Sequence, residues 1–75
     1  MNKARKKQLE SILNKIEDLK TDLEVLRDEE QEYMDNMPEN MQDGEKYDRA
    51  QEAVGAMDSA VDNLDNAVNE LTDIE

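Results

Sequence analysis

A chain of 75 residues carrying 21 acidic and 9 basic side chains, a formal net charge of −12 and 36% apolar residues makes one small domain with little material for a core. Its only aromatic residues are Tyr33 and Tyr47, and the lack of Cys and His excludes disulfides, thiolate nucleophiles, imidazole bases and nearly all zinc, copper and iron sites. No run of about 18 apolar residues is present to span a bilayer. The basic start Met1-Asn2-Lys3-Ala4-Arg5-Lys6-Lys7 leads into an amphipathic segment instead of an apolar leader core, so the expected setting is the cytoplasm.

The first predicted element is a helix over about 4–36. Apolar residues fall at Leu9, Ile12, Ile16, Leu19, Leu23, Leu26, Tyr33 and Met37, in alternating steps of three and four with one skipped position, Glu30. In heptad letters, Leu9, Ile16, Leu23 and Met37 take a, Ile12, Leu19, Leu26 and Tyr33 take d, and Leu13 and Met34 widen the stripe at e. Residues 37–43 then form a turn. Pro38 disfavours helical geometry at Met37, while Asp43 offers a cap acceptor and Glu45 a first-turn acid for a new helix.

The second predicted helix covers about 44–74 and repeats with a period of seven. Val54, Val61 and Val68 share a, Met57, Leu64 and Leu71 share d, and Tyr47 and Ala50 extend the seam backward. Ala53, Ala60 and Ala67 occupy g, where small side chains let a neighbouring helix come close. A short connection between two long amphipathic helices predicts an all-α fold, an antiparallel two-helix hairpin of coiled-coil type. Because both apolar stripes are three rows wide, a single hairpin leaves part of them uncovered, which favours a homodimer forming a four-helix bundle.

The charge is unevenly distributed along the chain. Residues 1–27 are net positive, whereas residues 28–52 hold Asp28, Glu29, Glu30, Glu32, Asp35, Glu39, Asp43, Glu45, Asp48 and Glu52 against only Lys46 and Arg49. A hairpin therefore gains a strongly negative turn end. Lys3, Arg5, Lys6 and Lys7 are expected to meet Glu70, Asp73 and Glu75 at the open end, and Glu30 is expected to pair with Arg49 or Lys46 across the hairpin. In an antiparallel dimer the basic arm of one chain would meet the acidic turn end of the other.

The second helix carries Asp58, Asp62, Asp65 and Asp73 with Asn63, Asn66 and Asn69 between them, although Asp and Asn are mediocre helix formers. Steps of three and four along a helix separate carboxylates by about 5 to 6 Å, comparable with the spacing of phosphates along a nucleic-acid strand. With Glu29, Glu32 and Asp35, these aspartates are the candidate partner-binding surface, one that would occupy the basic groove of a nucleic-acid-binding protein. Direct nucleic-acid binding is disfavoured by the net charge, and polar faces without a Lys/Arg excess disfavour a membrane surface. Catalysis lacks any pocket signal, the turn lacks the spacing of a calcium loop, and no cofactor is expected.

The stretch Asp28 to Gln42, most specifically Asp35-Asn36-Met37-Pro38-Glu39, together with the alanine-headed repeats from Ala60 to Leu71, resembles small acidic helical-hairpin proteins from bacterial, phage and mobile-element genomes. That resemblance implies a context and no particular activity. By analogy of size and charge, it implies an anti-defence inhibitor that binds a host protein, such as anti-restriction and anti-CRISPR proteins. The alternative expectation is a structural or adaptor coiled coil that docks a helical partner through its apolar seam.

Overall fold

A computed structural model describes all 75 residues, Met1 to Glu75. The chain is all-helical, with α1 over Lys3–Asp35, a short 3₁₀ turn over Glu39–Met41 and α2 over Glu45–Thr72. The two long helices pack against each other as an antiparallel hairpin measuring 59 × 15 × 13 Å.

Local chemistry sets the helix ends. Asn2 is extended and its side-chain oxygen accepts the Arg5 N–H at 2.8 Å, which satisfies one of the free donors of the first turn. Helix α1 stops at Asn36, two residues before Pro38, whose ψ of 148° turns the chain away from helical geometry. The Met37 carbonyl, which loses its helical partner there, accepts the Gln42 side-chain amide at 3.2 Å.

The cap of α2 differs from expectation. Gly44, not Asp43, is the N-cap, and no side chain caps the helix. The 3₁₀ turn brings the Met41 carbonyl to the Gly44 N–H at 3.1 Å, and a Cβ at Gly44 would lie only 3.1 Å from that same oxygen. Close backbone approach thus favours glycine here and leaves Asp43 one residue too early. Glu45 and Asp48 in the first turn of α2 still meet the positive end of its dipole.

The core is thin. Only Leu9, Leu13, Met34, Met37, Ala50 and Val61 are buried. Helix α2 faces α1 with its expected rows, since Tyr47, Val54, Met57, Val61, Leu64, Val68 and Leu71 are all buried or half-buried. Helix α1 presents a different side, because Leu9, Ile16 and Leu23 at a, continued by Met37 in the turn, are joined by Leu13, Lys20, Arg27 and Met34 at e. The d row expected in the seam, Ile12, Leu19, Leu26 and Tyr33, lies outside it, with exposures of 48%, 60%, 53% and 48%.

The rotation brings the e row against α2, where Leu13 and Met34 are buried at the two ends of the seam. Lys20 and Arg27, also at e, pair with Asp65 and Asp58 on α2, and their methylene stems can lie over the seam while the charges reach outward.

Two substitutions test these points. Leu13→Ala removes a buried side chain and is expected to cost roughly 2 kcal/mol or more of unfolding free energy in urea titration followed by helicity. Gly55→Ala is expected to stabilise by about 0.5 to 1 kcal/mol, because Gly55 lies inside α2 and an added Cβ there meets nothing within 4 Å.

Candidate functional site

Two ion pairs cross the hairpin along one flank. The Lys20 ammonium donates to Asp65 at 2.5 Å, and the Arg27 guanidinium donates to Asp58 at 2.9 Å. Both pairs join e positions, and both obey the same antiparallel register. Glu17 approaches Lys20 at 3.5 Å, and Asp28 accepts a second contact from Arg27 at 3.2 Å.

These partners raise the pKa of both cations. For Lys20 the hydrogen bond with Asp65 is the main cause, opposed by loss of solvent and supported by the charges of Asp65 and Glu17. For Arg27 the hydrogen bond with Asp28 leads, opposed by loss of solvent, and Asp58 adds to it.

The candidate acidic surface therefore divides. Asp58 and Asp65 are engaged inside the hairpin. Glu29, Glu32, Asp35, Asp62 and Asp73 are exposed and belong to no ion pair. Asp35 accepts the Gln31 side-chain amide at 3.0 Å, and the acids on α1 stand on its outer side near the turn.

Two expected pairings do not form. Arg49 bonds Glu45 on its own helix at 2.5 Å, so half-buried Glu30 has no ion-pair partner, although it shares an open groove with Tyr33, Lys46, Arg49, Ala50 and Ala53. An i,i+4 pair is reached without ordering a contact between two helices, which explains the preference. At the other end, the register fixed by the two crossing pairs carries Lys3, Arg5, Lys6 and Lys7 past Glu75, out of reach of Glu70 and Asp73.

On the flank opposite the ion pairs lies the exposed d row of α1. The same register sets Tyr33 beside Ala53, Leu26 beside Ala60 and Leu19 beside Ala67, so large apolar side chains on α1 border a row of small ones on α2. Ile12 extends the row to a length of about 32 Å. Ile74, 56% exposed, continues the alanine row and was not among the expected seam residues. Its seven-residue step from Ala67 was the available signal. Lys20 and Arg27 were missed for a similar reason, since their seven-residue spacing matches that of Asp58 and Asp65 only once the helices are paired.

The three surface depressions are open grooves, no group of three metal-binding side chains converges, and no helix is long and apolar enough to cross a membrane. The geometry thus defines a helical hairpin with an ion-paired flank, an apolar flank and an acidic turn end. No protein-family model, curated protein or solved structure matches the chain.

The crossing pairs generate a check. Lys20→Asp is expected to lower the melting temperature and Lys20→Asp with Asp65→Lys to recover most of the loss, as measured by circular dichroism. Because its pKa is higher in the folded chain, Lys20 contributes stability that is complete below the ordinary lysine value of 10.5 and is lost as pH rises through the folded one. Lys20→Met should therefore flatten the fall in melting temperature in that alkaline range.

Proposed function

We propose that the protein is a non-enzymatic coiled-coil docking module, a structural or adaptor element that binds a helical protein surface through the apolar row Ile12, Leu19, Leu26 and Tyr33. The observation that carries this reading is the exposure of that row, roughly half of each side chain or more, on an otherwise highly charged chain. Single exposed apolar residues are ordinary, but a row in one heptad position beside a row of alanines is a contiguous patch of the kind that marks protein interaction sites. Such helices are recognised through anchors on successive turns.

A second reading rests on different residues. Glu29, Glu32 and Asp35, free of ion pairs near the turn, would be the acidic surface that blocks a basic nucleic-acid-binding protein, the role of an anti-defence inhibitor, with Asp62 at mid-rod and Asp73 at the open end standing apart from them on α2. Asp58 and Asp65 contribute less to it, since each already neutralises a cation of its own chain.

Pull-down at low and high salt separates the two. The docking reading expects a partner that resists salt, is lost with Leu19→Asp and is kept when Glu29, Glu32, Asp35, Asp62 and Asp73 are neutralised to Gln or Asn. A nucleic-acid-binding protein that salt releases, lost with the neutralised acids and kept with Leu19→Asp, would instead establish the acidic reading and remove the first.

A further inference from the structure

The chain exposes 5728 Å² of surface, whereas a globular protein of its 8.7 kDa mass exposes about 4,700 Å². The excess of roughly 1,000 Å² is close to the roughly 800 Å² that each partner contributes to a stable interface. A thin rod accounts for some of that excess by shape alone, but Ile12, Leu19, Leu26 and Tyr33 of the d row make one continuous line of it, whereas Val25 stands alone on the outer face of α1 and Met1, Met41 and Ile74 lie outside α1.

We infer that a second copy of this chain covers that row, with the two α1 helices antiparallel and the two hairpins forming a four-helix bundle whose turn ends point in opposite directions. The inference rests on the docking reading above and names its occupant. An antiparallel pairing centred near Asp22 and Leu23 sets Ile12 against the partner's Tyr33 and Leu19 against the partner's Leu26, so the row is complementary to itself. Bulky residues then face bulky residues at every layer.

Charge selects the same arrangement. The g row flanking the interface holds Lys15, Asp22 and Glu29, and the pairing brings Lys15 to the partner's Glu29 at both ends, which offsets the approach of Asp22 to its own copy at the two-fold axis. Lys15 and Glu29 are exposed and make no ion pair within their own chain. Lys3, Arg5, Lys6 and Lys7, which pass beyond Glu75, come beside the partner's Glu39 and the partner's Asp43 at its acidic turn. The same-end alignment would instead place ten acids of one turn region against ten of the other.

Sedimentation at tens of micromolar tests this directly. The native chain is expected to be a dimer, and Leu19→Asp with Leu26→Asp is expected to be a monomer of unchanged helicity by circular dichroism, since both positions are exposed in the hairpin. Lys15→Glu should weaken the dimer about tenfold, and adding Glu29→Lys should restore it. A monomeric native chain overturns the inference, and a dimer that the charge swap does not restore overturns the antiparallel register. A monomer that still loses a salt-resistant partner on Leu19→Asp removes this inference alone. A dimer and a captured partner that both survive the two aspartates remove the docking reading as well.

Discussion

A helix packed against a single neighbour buries one side of itself, and in this hairpin the choice of side determines every surface that is left. Helix α1 turns its a and e rows to α2, so Leu9, Leu13, Met34 and Met37 close the two ends of the seam and Lys20 and Arg27 occupy its middle. An a and d interface would have buried more apolar surface on α1. The observed rotation satisfies the charges and leaves the apolar surplus on the opposite flank.

Partly exposed ion pairs contribute little net stability, because solvent screens them and two long side chains must be ordered. Their use here is registry. Val54, Val61 and Val68 repeat at identical spacing, as do Ala53, Ala60 and Ala67, so sliding α2 by one heptad would cost the apolar seam little. Two cations opposite two aspartates seven residues apart make the slipped alignment lose a charged partner. The turn adds a second constraint, since Pro38 and Gly44 fix the length of connection between the helices.

Much of this architecture is legible in the amino-acid sequence. Periodicity and Pro38 indicate two helices and a turn, with boundaries displaced by only one or two residues. The rotation of α1 is not legible there, because heptad reading ranks positions by hydrophobicity and therefore puts Ile12, Leu19, Leu26 and Tyr33 inside while Lys20 and Arg27 are taken for surface. Only the pairing of helices shows that a cation at e meets an acid at e. The Glu30 pairing failed for the converse reason, as Arg49 has Glu45 within its own helix. The acidic surface is visible as composition, but which aspartates are already engaged is a property of the register.

The apolar row and the charge act together. A chain of net charge −12 repels its own copies, so exposed leucines on it do not lead to indiscriminate association. Association is favourable only where opposite charges approach and like charges are kept apart. The antiparallel bundle pairs Lys15 with the partner's Glu29 at both ends, against a single approach of like charges at Asp22, and it separates the two acidic turn regions by most of the 59 Å length of the rod, several times the roughly 8 Å over which charges act at physiological salt. The same lengthwise asymmetry that leaves α1 with a basic start and no acid in its first turn, unfavourable for an isolated helix, then becomes a source of orientation between two copies.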